Sequence, residues 1–383
     1  MRPPPFRLLH VFSTFAPGGP QVRTCALIAG LGPEFDHAIT ALDGRVDAAQ
    51  LLPEGAARLI EAPPKAGSPA TVLRMRSLLV REQPDLVLTY NFGALDAALA
   101  ARSLGLPLVH HEDGFRPDEV AGFKRRRVLL RRLALAGARR VVVISRTLER
   151  IALELWGLSP EKVAYVPNGI DAARYAPADR NLPLRRALAI PEPALVIGAV
   201  GHLRPEKNFA RLLLAAGALR AERDTHALLL GDGPERAALE ELALGPGLTG
   251  RVHFAGHVAD PRGHYRAMDV FALSSDTEQM PIALLEAMAS ALPVAATDVG
   301  DVRAMLPEEQ RRFVVAPGEG AVERLSGALD ALANDSDLRR ELGAANRREV
   351  ERRFLLARML ERYRAIWLDA LGVPEAHAER GHR

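Results

Sequence analysis

Short apolar runs alternate along the chain with stretches in which apolar positions recur every three to four residues. In the first half the runs fall at Arg7 to Phe12, His37 to Leu42, Arg58 to Ile60, Leu86 to Thr89, Leu108 to His110, Val141 to Ile144 and Val163 to Val166. In the second half they fall at Leu195 to Val200, His226 to Leu230, Val252 to Phe254, Val270 to Leu273, Val294 to Ala296 and Phe313 to Val315. Runs this short, separated by helical patterns, predict buried strands joined by crossover helices, the arrangement of a parallel doubly wound sheet. The pattern occurs twice, so two Rossmann-like domains are expected. The proline-bearing stretch from Asp171 to Ala194 is the natural connection between them.

Composition agrees with this picture. A chain of 383 residues with 48% hydrophobic content is long enough for two globular domains. The single cysteine, Cys25, excludes an intramolecular disulfide, fits a reducing cytosol and reads as a small core residue of the first helix. The apolar run Leu8 to Phe12 is too short for a signal peptide and contains His10, so it reads as the first strand. No stretch of about 20 uncharged apolar residues is present to span a bilayer. The polar tail from Gly372 is expected to fray.

The net charge of +3 conceals an asymmetry, with 22 basic against 16 acidic residues in positions 1–170. Part of that excess is FKRRRVLLRRLALAGARR, Phe123 to Arg140, with eight positive charges and no acid. Interleaved leucines make it a basic amphipathic helix. Such a helix suits an anionic lipid surface or a phosphorylated lipid acceptor, reached through Arg125, Arg126, Arg127, Arg131 and Arg132. A solvated helix in an arginine-rich chain accounts for the same pattern.

Two segments carry candidate chemistry. In EQMPIALLEAMA, Glu278 to Ala289, Pro281 suits the first position of a helix and would leave the N–H groups of Ile282 and Ala283 free for a phosphate. Glu286 would lie about 7–8 Å further along the axis, at the edge of an apolar arc, where a solvated flank residue could equally sit. In VGHLRPEKNF, Val200 to Phe209, Lys207 lies between an apolar run and a helix that Asn208 would cap. The chain has only four lysines, Lys65, Lys124, Lys162 and Lys207, so a lone ammonium at a strand-to-helix turn suggests a point charge aimed at a phosphate.

Together these segments resemble the retaining glycosyltransferases of family 4, with the two-domain GT-B fold. The resemblance extends through FAPGGPQ (Phe15 to Gln21), YVPNGIDAARYAP (Tyr165 to Pro177), LLLGDGPERAAL (Leu228 to Leu239), VHFAGHV (Val252 to Val258) and PVAATDVGDV (Pro293 to Val302). It implies an α/β protein in which two Rossmann-like domains face a cleft. Residues 1–175 would form an acceptor-side domain, joined by the last helix, 354–371, and residues 176–353 a nucleotide-sugar domain.

The activity implied is transfer of a hexosyl unit from a nucleotide sugar, with uridine the expected base, to an envelope or exopolysaccharide glycan or its lipid-linked precursor. No cofactor and no metal are implied. The Asp335 and Asp337 pair reads as a helix cap. A cytoplasmic enzyme, peripheral on the inner face of the plasma membrane, would follow. Carried over by position, Lys207 would meet the diphosphate, Glu278 the donor sugar and Glu286 the ribose. Backbone donors fall at Met280, Pro281, Ile282 and Ala283, and base recognition at His257 and Val258. The family's pyrophosphate arginine is replaced by His202, which leaves His202 or Arg204 for that role, with Arg204 preferred.

Gly18 and Gly19 would admit the donor phosphates. Among His110, His111 and Asp113, at the end of the fifth run, His111 is the choice for a cleft-facing residue, and Asn91 is a further candidate. A GT-B nucleotide-sugar epimerase and a non-catalytic nucleotide-sugar binder remain alternatives. IGAVGHL, Ile197 to Leu203, lacks the three-glycine dinucleotide fingerprint, and no aromatic-rich nucleic-acid module is present.

Overall fold

The computed structural model describes residues 4–64, 68–114, 119, 122–220 and 224–374. Lys65, Phe115 and the tail beyond residue 374 lie outside the described residues. The chain divides into two compact units, Met1–Asn168 with Ala357–Arg383, and Gly169–Leu356.

The first unit holds strands β1 (Phe6–Phe12), β2 (Phe35–Ala41), β3 (Arg58–Leu59), β4 (Leu86–Tyr90), β5 (Leu108–Glu112), β6 (Arg140–Val143) and β7 (Val163–Tyr165). The second holds β8 (Leu195–Val200), β9 (Thr225–Leu230), β10 (Val252–Gly256), β11 (Val270–Leu273), β12 (Val294–Thr297) and β13 (Val314–Val315). Among the described residues the orders are β3-β2-β1-β4-β5-β6-β7 and β10-β9-β8-β11-β12-β13, with every pairing parallel. In each sheet the order reverses beside its first strand, which leaves the crevice where α/β sheets bind ligands.

The sequence places the domain boundary at residue 175, whereas the contacts divide the chain at Asn168. Local pairing explains the shift. The Ile170 N–H donates to Phe354 O at 2.8 Å, the Leu356 N–H donates to Ile170 O at 2.9 Å, and Tyr175 bonds Glu286, so the segment after Asn168 is built into the second unit. The last helix is Leu356–Leu371. Phe354 caps the preceding helix, Ser336–Arg353, instead of opening the last one.

Strand β5 runs two residues past its predicted end because its charge is matched inside the unit. Glu112 is buried and accepts from Arg131 Nε at 3.4 Å. In the same unit the last helix sets Trp367 edge-on to His10 and Phe35, with ring centroids 5.8 Å and 5.6 Å apart. His10 also contacts Tyr90 Oη at 2.9 Å and His37 Nδ1 at 3.0 Å, and burial lowers the pKa of His10 far below its ordinary value. Cys25 is buried as expected, and burial pushes its thiol up to about 12, which leaves it inert at neutral pH.

The second unit's core lies between the sheet and its helices. Ile197, Leu229, Val270 and Ala295 from the strands pack with Leu212, Leu213, Leu325 and Leu329 from the helices. Asp335 caps helix Ser336–Arg353 by accepting from the N–H groups of Asp337 and Leu338 at 3.0 Å and 2.9 Å, which is the capping role expected of it.

Candidate active site

The second sheet reverses between β8 and β11, and both sequence segments that carry candidate chemistry follow those two strands. Lys207 ends a short 3-10 turn, Pro205–Lys207, after β8. Its Nζ donates to Glu278 Oε1 at 2.5 Å, and Ser275 Oγ donates to the same oxygen at 2.8 Å. The lysine and the first acid, 71 positions apart in the chain, are thus one ion pair. Both side chains are largely covered, with 26% and 9% of their surface exposed.

Polar contacts between the two loops hold the pair in place. Asn208 adopts a left-handed conformation (φ 45°) and caps the next helix through the Arg211 N–H at 3.1 Å. Its side-chain amide donates to Asp276 Oδ2 at 3.0 Å. Arg211 donates to Ser274 O at 2.7 Å and to Asp276 Oδ1 at 2.5 Å, while the Asp276 N–H donates to Glu206 O at 2.8 Å. Gly300 supports the same loop from β12. At its φ of +55° a side chain would be strained, and a Cβ would lie 2.2 Å from Glu278 O. The Asp301 N–H donates to Gln279 O at 2.9 Å.

Glu286 lies on helix Ile282–Ala289, and it is not a solvated flank residue. Its Oε1 accepts from Tyr175 Oη at 2.8 Å and its Oε2 from Tyr265 Oη at 2.7 Å. Burial raises the carboxyl's pKa, opposed by the two tyrosine hydrogen bonds. Neither tyrosine is singled out by the sequence, although Tyr175 lies inside the quoted YVPNGIDAARYAP segment. Pro281 is the N-cap and not the first helical residue, and helical hydrogen bonding begins with the Leu284 N–H on Pro281 O at 3.2 Å. With no N–H, Pro281 cannot be a backbone donor. Met280, Ile282 and Ala283 retain that possibility.

His202 is exposed, and its Nδ1 contacts Asp232 O, which makes Nδ1–H the donor and ties the β8 loop to the β9 loop. Arg204 has 55% of its side chain exposed, with Nη1 4.0 Å from Glu206 Oε1. His257 and Val258 follow β10, and His257 is exposed.

The remaining candidates belong to the first unit. Gly18 precedes helix Gly19–Gly30 with φ −175°, a value any residue adopts, so the backbone there does not demand glycine. His111 does not face a cleft. It is fully buried, stacked between the Tyr90 and Tyr363 rings at 4.5 Å and 5.7 Å, with Nδ1 3.2 Å from Thr89 O. Burial first, then Arg23, hold its pKa well below the ordinary histidine value. His110 is equally buried against Thr89 Oγ1 at 2.8 Å. Asp113 pairs with Arg23, and its N–H donates to Asn91 Oδ1 at 2.7 Å. Asn91 is therefore a loop-positioning residue within this unit.

The basic segment forms helix Arg125–Leu135, and its arginines do not share one environment. Arg131 is fully buried, donates to Glu119 Oε1 at 2.9 Å, and lies over Phe92 and Trp156 with its guanidinium 4.8 Å and 5.0 Å from the ring centroids. Arg127 sits 3.5 Å from Glu119 and is mostly covered. Neither can meet a membrane. Arg125, Arg126 and Arg132 are exposed, with Leu129 and Leu133 on the same helical side at 66% and 53% exposure.

Residues 182–349 match the family described as Glycosyl transferases group 1, and residues 18–169 match the Glycosyl transferase 4-like domain. A putative glycosyltransferase, EpsF, of Bacillus subtilis is 30% identical over 76% of this chain and 79% of its own length. A UDP-Gal:alpha-D-GlcNAc-diphosphoundecaprenol alpha-1,3-galactosyltransferase of Escherichia coli is 25% identical over 78% of this chain and 79% of its own length. The chain spans about half the length of the D-inositol 3-phosphate glycosyltransferases it also matches, 44% of that from Geodermatophilus obscurus and 56% of that from Kineococcus radiotolerans. Among solved structures, Anabaena HepE in complex with UDP and glucose superimposes with a TM-score of 0.81 at 20% identity, covering 95% of this chain and all of that one. With two parallel-sheet α/β units and matches across both halves, the chain belongs to the group 1 glycosyltransferases and has the GT-B fold.

Proposed function

We propose that this protein is a retaining glycosyltransferase that moves a hexosyl unit from a UDP-sugar to an envelope or exopolysaccharide glycan or its lipid-linked precursor. The observation that carries the reading is the Lys207–Glu278 ion pair at the reversal of the second sheet, beside a helix that carries the tyrosine-held Glu286. The nucleotide and acceptor classes are supported by the UDP in the HepE structure and by the lipid-linked substrate of the Escherichia coli relative.

In this reading Lys207 neutralises charge on the diphosphate as the bond from the anomeric carbon to its oxygen breaks. The acceptor hydroxyl attacks the same face of the sugar, and its proton passes to the departing diphosphate oxygen, so configuration is retained without a covalent intermediate. Glu278 and Ser275 fix the ammonium, and no metal is required. Incubating the protein with UDP-sugars and lipid-linked or oligosaccharide acceptors, and reading the product's anomeric configuration, tests this directly. Inverted product, or sugar release with no acceptor dependence, would refute it.

Glu286 is assigned to the ribose hydroxyls. Glu286→Ala weakens nucleotide binding by about 1.5–3 kcal/mol, the range for hydrogen bonds to a charged group. Equal affinities by titration calorimetry would return Glu286 to a structural role. Burial raises its folded pKa, so the cost of ionising it in place is present above that pKa and is relieved as pH falls through it. Without nucleotide, Glu286→Gln therefore melts higher than wild type at mildly alkaline pH, and the difference closes on acidification.

Peripheral attachment to an anionic membrane rests on the exposed side of helix Arg125–Leu135. Arg125, Arg126 and Arg132 each contribute about 1 kcal/mol near such a surface, and Leu129 and Leu133 offer apolar anchors. Vesicle sedimentation should show binding that rises with anionic lipid, falls with salt and is lost in Leu129→Ser/Leu133→Ser. Equal binding to neutral vesicles would leave a solvated helix.

A further inference from the structure

We propose that Tyr175 and Tyr265 are positioning residues that orient the Glu286 carboxylate for a vicinal diol and thereby set the site's preference for ribo- over deoxyribonucleotides. The proposal rests on the reading of Glu286 as the ribose acceptor. It assigns a role to the Tyr165 to Pro177 segment, which the proposed mechanism leaves unused.

A glutamate's terminal torsion is broad, so its carboxylate plane is not set by its own rotamer. Here each oxygen is held by a separate tyrosine, Oε1 by Tyr175 at 2.8 Å and Oε2 by Tyr265 at 2.7 Å, which fixes the plane. Tyr265 is fully buried and Tyr175 is 8% exposed, and their rings meet edge to face at 6.0 Å, so neither hydroxyl can move far. Tyr265 Oη also lies 3.2 Å from Ala283 O. A single hydroxyl proton serves one acceptor at a time, and the shorter, charged one is favoured.

An ionised carboxylate has about four acceptor positions. The two tyrosines use one on each oxygen and leave one on each, a pair of acceptors in a fixed plane. Adjacent hydroxyls of a ribose match such a pair, whereas a 2′-deoxyribose leaves one position empty. The hydroxyls also oppose the effect of burial, and so help retain the charged form that accepts from both ribose hydroxyls.

The test uses the full chain with UDP, GDP and ADP, each compared with its 2′-deoxy form by titration calorimetry, taking the diphosphate that wild type binds most tightly. Tyr175→Phe and Tyr265→Phe are each expected to weaken binding of that ribonucleotide about 3- to 10-fold and to leave the deoxy form nearly unchanged, so the ratio between the two falls. Glu286→Gln lowers the same ratio. A purely structural role would weaken both ligands alike and keep the ratio, which would overturn the proposal. Tyrosine variants that bind as wild type, while Glu286→Gln loses discrimination, would overturn it and leave the ribose reading intact. If wild type binds both sugars equally, or none of the three diphosphates, the ribose reading fails and the proposal with it. Should Tyr265→Phe not fold, Tyr175→Phe alone decides, because its ring lies nearer the surface.

Discussion

Lys207→Ala lowers turnover by about 10²–10³ at saturating acceptor while weakening donor binding much less. The reason is that the ammonium meets charge which grows as the diphosphate departs, so its effect is larger in the transition state than in the bound donor. Lys207→Arg recovers only part of the rate. A planar fork keeps the charge, but it cannot occupy the 2.5 Å contact with Glu278 Oε1 in the geometry of a compact ammonium. Steady-state kinetics of both variants, with and without a chelator, check this. Near-normal turnover in the alanine variant would remove Lys207 from the reaction, and loss of wild-type activity on chelation would assign its role to a metal.

Arg131→Ala destabilises the protein by about 3–5 kcal/mol, because it removes the buried guanidinium that two buried acids of the first unit share. Glu119 and Glu112 are both buried, and Arg131 reaches both, at 2.9 Å and 3.4 Å, while Arg127 approaches Glu119 at 3.5 Å and His110 Nε2 lies 3.4 Å from Glu112. Its guanidinium also fills the space between Phe92 and Trp156, so packing is lost along with charge. Denaturant unfolding should show the loss, and Arg131→Met combined with Glu119→Gln should recover part of it, since removing both members of a buried pair leaves less charge unmatched. A change within about 0.5 kcal/mol in the alanine variant, ordinary for a surface site, would contradict the burial.

The same arginine shows where a linear reading fails. Eight positive charges without an acid between Phe123 and Arg140 look like one uniform basic face. Glu112 and Glu119, which neutralise Arg131, lie outside that stretch, and only folding brings Glu112 from β5 against the helix. His111 failed as a candidate for a related reason. It occupies the end of a strand, where a cleft residue would be sought, but the last helix brings Tyr363 against it from a distant part of the chain.

Strand alternation and the cap at Asn208 were legible because each depends on neighbours within a few residues, and Lys207, Glu278 and Glu286 stood out as candidates by their place beside a predicted strand end or helix start. Period, capping and proline placement are local properties of the backbone. The alternation also implied parallel sheets, since a strand that returns through a helix must pair in parallel. Tertiary structure alone decided which side chains meet. Lys207 pairs with Glu278 because the sheet order sets β8 beside β11, although the two residues are 71 positions apart. Glu286 is held by Tyr175, 111 positions before it, and by Tyr265. A hydrogen bond depends on distance and angle in space, which no periodicity along the chain encodes.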